Sequence, residues 1–554
     1  MNRFLVLKSL LYLAFFALVY GTLYAQPVAT CYRLSLADKQ NNPYAVNQPS
    51  QYLSARALAK RARFSIPITE QDLPVTPQYL SAIKAIDSSV RVLCTSKWMN
   101  TATVYCPDTA MLRQILNLPF VTGSLPVAIY QLDTLPAPLQ PDRETMLQHI
   151  VETVHNSVVS YNYGAAYGQI AFHNGHLLHN LGFRGDSMLI AVFDGGWDGM
   201  DTASFFRNVN VCGTRDLMPY RNNVYEGHYH GTIVTSTMCG NVDGMMVGTA
   251  PEASYFLIRS EDPYQEQLIE EDFWTAAAEI ADSIGADVIN SSLGYTDFTD
   301  FPPGCYSYAD MNGTTSMASR AATILGQKGV VVCVSAGNQG GDEWHYISLP
   351  ADAFDILTVG AVDSVGNVAY FSSRGPSSDG RVKPDIVSVG VNTACVWDTG
   401  MLGTANGTSL SGPVAAGLCA CLWQALPEKT ASELMQIVRE SSSCYSQPND
   451  SLGYGIPDFY AAYVRNATAV RDVPNTLPLQ VYPVPCSDFI RIPNQEMNIE
   501  RVEIFSVSGQ LLKSVRPASD PVLSIDVHDL PSGLFVGQAT GKNGSTGFFR
   551  MMKE

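Results

Sequence analysis

From about Ser157 to Arg465 the chain repeats one pattern, a short β-branched run that stops near a glycine, followed by an amphipathic helical stretch. The runs are Met188–Phe193, Tyr255–Ile258, Val288–Ser291, Val330–Val334 and Ile356–Val359. Runs without polar alternation predict strands buried on both faces, so helices must cover both sides of the sheet. The expected fold class is α/β, with a mainly parallel sheet flanked by helices. In such sheets the reactive side chains gather at the carboxyl ends of the strands.

The flanks differ in texture. Between Pro27 and the 150s, Tyr52–Leu58 and Pro77–Ile86 read as helices. Asp72–Val75, Val90–Cys94 and Ala102–Cys106 read as strands, which together give a small α+β domain. Proline at Pro136, Pro138 and Pro141 marks a linker around Asp133–Pro141. After about Pro474, Val502–Val507 and Gln510–Val515 flank a Ser508-Gly509 turn, and Val522–Val527 and Gly547–Met551 follow. This tail predicts an all-β sandwich. A chain of 554 residues exceeds one ordinary core. The expected segments are 1–25, 26–155, 156–468 and 469–554.

The amino terminus reads as a cleavable secretory signal. Arg3 and Lys8 precede the apolar run Leu10–Tyr20, with cutting expected after Ala25. That run is shorter than the roughly 20 apolar residues that span a bilayer, so no integral membrane segment is expected once it is removed. A net charge of −17 repels phosphate backbones and argues against nucleic-acid binding. Of the twelve cysteines, Cys333, Cys419 and Cys421 read as small buried hydrophobes, while Cys94–Cys106 and Cys212–Cys239 are pairings that sequence leaves open. No HExxH or CxxC occurs, so metal catalysis has no candidate ligand set. His173, His176 and His179 share helical spacing, which a packed or solvated helix face explains more simply than a metal.

Three short motifs carry chemistry. In Ile190–Gly196, Asp194 ends a buried strand where the chain turns through glycine; alone, a turn or capping role would suffice. His230-Gly231-Thr232 offers an imidazole able to take a proton near neutral pH, with His228 as its nearest rival. In Asn406–Pro413, Pro413 suits the first turn of a helix, placing Ser409 near a helix amino terminus that favours developing negative charge. Ser409 needs a neighbouring base to act as nucleophile, and Ser411 better suits capping or packing. A fourth element, Val334–Asn338, ends a strand with an amide able to donate to an oxyanion.

Asp194, His230, Asn338 and Ser409, in that chain order, resemble the subtilisin-like serine proteases. The resemblance extends to Gly248–Pro251, Gly285–Gly294, Phe371–Pro376 and Lys383–Asp385. It implies a serine endopeptidase in which Asp194 orients His230, His230 serves as base and then acid, and Ser409 attacks a peptide carbonyl. Asn338 and the Ser409 amide would hold the oxyanion, while Ser292, Leu293, Gly294, Ala336 and Gly337 would form walls that pair with protein or peptide substrates. Ile233 stands where the family often has histidine, and Leu410 where it often has methionine or phenylalanine; both read as packing positions. No cofactor is implied for the chemistry, and family calcium sites cannot be located by motif.

The flanks resemble known attachments of such enzymes. Tyr52–Leu58, Asp72–Val75 and Ser96–Asn100 resemble an inhibitory propeptide removed by self-cleavage. Val481–Pro485, Val502–Gln510, Leu530–Leu534 and Met551–Glu554 resemble a type IX secretion sorting domain. That resemblance implies the type IX machinery as a partner, export through the periplasm, and a secreted or cell-surface product.

Overall fold

The computed structural model describes residues 30–130, 161–301, 304–467, 476–479, 481–494, 498–506, 511–517, 520–541 and 546–554. The chain divides into two units, Met1–Asn466 and Ala467–Glu554. The expected signal segment, the proline linker and the Ser508-Gly509 turn lie outside the described residues.

The first unit opens with an α+β layer. Strands β1 (Cys31–Leu36), β2 (Arg91–Ser96), β3 (Thr101–Tyr105) and β4 (Val121–Ala128) form a sheet of order β2-β3-β1-β4. Helices α1 (Ala55–Arg63), α2 (Pro77–Lys84) and α3 (Thr109–Leu116) accompany it. Ser54 caps α1 by accepting the Ala57 N–H, and Asp108 caps α3 through Ala110, each satisfying an otherwise orphaned donor. Pro77 at the start of α2 needs no amide there. The expected strand at Asp72–Val75 is not formed. Glu70–Asp72 is instead a 3₁₀ turn, because the Asp72 carboxylate closes a capping box on Thr69 and takes Arg61 and Lys328 as ionic partners.

The larger part of this unit is a seven-stranded parallel sheet. Its strands are β5 (Leu189–Asp194), β6 (Asn210–Asp216), β7 (Ser254–Arg259), β8 (Val288–Ser291), β9 (Val331–Ser335), β10 (Leu357–Val362) and β11 (Ile386–Val389). Their order is β11-β10-β9-β8-β5-β7-β6, with every pairing parallel. Two apolar cores lie on opposite faces: Ile190 and Val192 join one, Leu189, Ala191 and Phe193 the other. This alternation explains why the strand is apolar at successive positions. Helices α4 (His230–Cys239), α5 (Glu270–Ile284), α6 (Met317–Gln327) and α7 (Thr408–Ala425) supply covering faces.

The α+β layer sits on α5. Arg33 forms a two-bonded pair with Asp272 at 2.6 and 2.7 Å. Glu279 accepts the Ser96 hydroxyl at 2.6 Å and the Lys97 and Trp98 amides at 2.8 and 2.9 Å. Asp282 pairs with Arg61 at 2.6 Å and Lys97 at 3.1 Å. Gly285 ends α5 with φ of 82°, and a Cβ there would lie 2.6 Å from the Ala57 nitrogen, so glycine serves both the turn and the close approach of α1.

His173 and His179 are buried, and burial pushes both down to about 4. His173 bonds Pro457 O and Ser388 Oγ, while His179 bonds Tyr163 and Thr249 O. These are packing contacts. All twelve cysteines are free, including the members of both open pairings. Among the described residues, no helix is long and apolar enough to cross a membrane.

The second unit is strand-rich. Strands β12 (Thr476–Pro478), β14 (Ile499–Ser506), β15 (Leu511–Val515), β17 (Gly533–Gly541) and β18 (Thr546–Lys553) form a sheet of order β12-β18-β17-β14-β15. Strands β13 (Phe489–Pro493) and β16 (Val522–Asp526) form a separate pair. Ile490, Ile492, Leu523 and Ile525 from the pair share one core with Val502, Ile504, Phe535 and Met551 from the larger sheet. The alternation of these positions puts one face of each sheet inward.

Candidate active site

Asp194 is the last residue of β5 and is fully buried. Both its carboxylate oxygens lie against His230 Nδ1, at 2.9 and 3.0 Å, and Oδ1 also accepts the Gly195 amide at 2.8 Å. His230 is the first residue of α4, and its amide donates to His228 Nδ1 at 3.2 Å. The rival histidine is thus a neighbour that steadies the backbone of the one paired with Asp194. Burial opposes a charged imidazole, but the Asp194 charge and hydrogen bond outweigh it and raise the His230 pKa above its usual value.

Helix α7 begins at Thr408, so Ser409 lies in its first turn. Pro413 falls in the second turn, one later than the sequence suggests. Proline lacks the N–H that would bond the carbonyl four residues back, which is Ser409 O. That carbonyl instead accepts the Ser292 hydroxyl at 3.0 Å. The proline therefore ties the turn holding Ser409 to the segment after β8. Ser409 Oγ is directed back along the same contact, 3.4 Å from Ser292 O. Ser411 turns its hydroxyl to Thr408 O at 3.1 Å, a local helix bond.

Asn338 lies just beyond β9. Its Oδ1 accepts both the Thr408 amide at 2.8 Å and the Thr408 hydroxyl at 2.9 Å. With the oxygen occupied, Nδ2 is left as the free donor. Nδ2 and the Ser409 amide nitrogen each lie 3.6 Å from the point that a Cβ on Gly407 would occupy. The Ser409 amide is among the first-turn donors that a helix leaves without an intrahelical acceptor. Two donors therefore flank one spot next to Gly407, a glycine with φ of 150°.

Helices α4 and α7 meet through Ile233 and Leu410, which pack together with Cys395. The two departures from the family pattern thus fill each other's space. Ser292, Leu293 and Gly294 follow β8, and Ala336 and Gly337 follow β9, so adjacent strand ends deliver both expected walls to this edge.

Two residues escaped the sequence reading. Thr408 orients Asn338; its place inside the Asn-Gly-Thr-Ser motif was the available signal. Glu261 follows β7 without any motif. Burial first, then the Glu266 and Asp194 charges, push its carboxyl up to about 8 against the pull of His230.

Residues 185–455 match the model of the subtilase family (Peptidase S8). This chain carries a subtilase domain. Residues 31–143 of the subtilase match the S8 propeptide domain of Bacteroidota, and residues 480–548 match a secretion system C-terminal sorting domain. Subtilisin E of Bacillus subtilis (strain 168) is 28% identical over 289 residues, covering 51% of this chain and 68% of its own length. Subtilisin of Bacillus pumilus is 28% identical over 289 residues, covering 51% of this chain and 94% of its own length. A solved structure of MycP1 with its N-terminal propeptide removed is 21% identical, with a TM-score of 0.43, covering 55% of this chain and 98% of that one. The subtilase is accordingly a serine peptidase with an N-terminal propeptide domain and a type IX sorting tail.

Proposed function

We propose that the protein is a secreted endopeptidase that works through an acyl-enzyme, made as a zymogen that processes itself. The observation that carries this reading is the double contact of Asp194 on His230 Nδ1. It fixes the Nδ1–H tautomer and leaves Nε2 as the base. Ser409 Oγ leaves the Ser292 carbonyl, gives its proton to Nε2 and adds to the peptide carbonyl. The resulting oxyanion takes hydrogen bonds from Asn338 Nδ2 and the Ser409 amide. His230 then protonates the leaving amine, and water repeats the sequence to release the acid. Asp194, His230, Asn338 and Ser409 are the residues that act in this path.

Incubating the purified full-length protein and sequencing its new termini tests the reading. A new amino terminus near residue 156, absent when a fluorophosphonate blocks Ser409, is expected. A full-length chain that neither processes itself nor takes the label refutes it. Asn338→Ala should lower kcat by roughly 10²–10³-fold with little change in KM; subtilisin is the reference case for that magnitude. An unchanged kcat would assign the oxyanion to another donor.

The propeptide domain serves as the inhibitor, held by its cations and amides on α5. Burial opposes charge on Asp282, yet Lys97 and Arg61 hold its carboxyl down at about 2. A depressed carboxylate favours the docked state above the usual carboxylate pKa and loses that contribution as pH falls through about 2. Mild acid therefore leaves this contact intact. Glu279→Ala leaves the Lys97 and Trp98 amides without their acceptor, at about 1–3 kcal/mol each. The cleaved propeptide should then dissociate at least roughly tenfold more readily, measured as faster onset of peptidase activity on dilution. The signal segment and sorting tail together support export through the periplasm and delivery by the type IX machinery to the surface or medium.

A further inference from the structure

The strands of the parallel sheet end at the candidate active site and begin at the opposite edge. Asp194 closes β5, while Ser292 and Asn338 follow β8 and β9. Ser187, Gly285–Asp287 and Lys328-Gly329 precede the same three strands. They lie a strand's length from the site, roughly 20 Å for six residues. Helices α5, α6 and α7 also finish at this far edge, and α5 brings the carbonyls and the negative dipole end of its last turn.

Residues 54–66 of the propeptide domain cover that edge. The Ser54 amide donates to Ser283 O at 2.9 Å. Arg56 donates to Gly285 O at 3.2 Å and Ser187 O at 2.7 Å, and it pairs with Asp287. Lys60 Nζ donates to Ala286 O, and Arg61 pairs with Asp282 at 2.6 Å. Beyond α1, Phe64 stacks on Trp423 with ring centroids 6.0 Å apart. Ile66 Cδ1 lies 2.6 Å from the point that a Cβ on Gly329 would occupy. Trp423 stands fourteen residues along α7 from Ser409, about 21 Å at the helical rise.

The four-stranded sheet docks elsewhere, on Asp272 and Glu279 along α5. Its core holds Leu34, Ile83, Val104 and Ile115. The anchoring segment belongs to a second small core of Tyr52, Leu53, Ala57 and Leu73. The two docking areas meet at Asp282, which takes Arg61 from one and Lys97 from the other. Two linked modules on two surfaces make the second contact intramolecular, so one can open while the other holds.

Resting on the peptidase reading above, we propose that residues 54–66 are a retention anchor, and that the far edge of the catalytic part is a second propeptide-binding surface. After self-cleavage the sheet lifts from the active site while the anchor stays seated. The enzyme therefore passes through an open state that still carries its propeptide. Closing again from that state needs no new encounter, so the enzyme stays silent until the anchor lets go.

The test dilutes self-processed full-length protein into an excess of fluorescent fluorophosphonate and follows two signals on native gels. Fluorescence reports an open Ser409, and mobility reports propeptide still bound. In the wild type, labelled enzyme that carries its propeptide should accumulate before propeptide-free enzyme. Arg56→Ala combined with Lys60→Ala removes the donors to three carbonyls and should shorten the lifetime of that labelled complex by roughly 10–100-fold. Phe64→Ala, which spares the cations, should shorten it by at least about threefold. Label confined to propeptide-free enzyme in the wild type would overturn the anchor alone. So would a labelled complex as long-lived as the wild type's in the variants that take the label. Wild type that neither processes itself nor takes the label would overturn the peptidase reading, and this inference with it.

Discussion

Ser409→Ala is expected to reduce peptidase turnover by roughly 10⁶-fold, the scale known for the nucleophile of subtilisin itself. The substitution removes one oxygen from a fully packed turn. Thr408 still holds Asn338, and Ser292 still holds the Ser409 carbonyl, since neither bond uses the lost hydroxyl. The variant should therefore fold, stay at full length with its propeptide attached, and fail to take a fluorophosphonate. Gel mobility and amino-terminal sequencing read the first outcome, and probe fluorescence reads the second. A variant that still processes itself and still labels would move the nucleophile elsewhere, and Ser411 would be the next candidate.

Asp194→Asn is expected to cost about 10⁴ in turnover, the scale set by the same change in a chymotrypsin-type protease. Both carboxylate oxygens now receive His230 Nδ1–H. An amide at this position can present its NH₂ to the ring, which places the ring proton on Nε2 and removes the base. The pH profile supplies a second readout. Asp194 raises the His230 pKa, so in the wild type the acid limb of kcat/KM lies above the pH of an ordinary imidazole. Without that charge the imidazolium loses its partner while the burial remains, so the limb should move to lower pH. A variant with near-normal turnover and an unmoved limb would remove Asp194 from the proposed triad.

Much of this site was legible in the linear chain because each reactive residue stands at the boundary of an element. Asp194 ends an apolar run, His230 opens a helix, Asn338 follows the end of a strand, and Ser409 precedes a run of small residues. Period and punctuation expose such places. The strand expected at Asp72–Val75 failed for the opposite reason. A short apolar pair beside proline looked extended, but the Asp72 carboxylate had partners at Arg61 and Lys328 that local sequence does not reveal. Pro413 looked like a first-turn proline because the helix start could not be fixed to a single turn.

By itself the sequence determined the α/β class, the segment order and the identities of the four candidate catalytic groups. These depend on periodicity and on side-chain chemistry, which a linear chain carries in full. Tertiary structure alone decided which contacts give those groups their geometry. Thr408 turns the Asn338 amide across 70 residues, Ser292 takes the carbonyl that Pro413 frees across 117, and Arg61 reaches Asp282 across 221. Such contacts form between elements brought side by side by sheet order, and no local spacing encodes a distance between them.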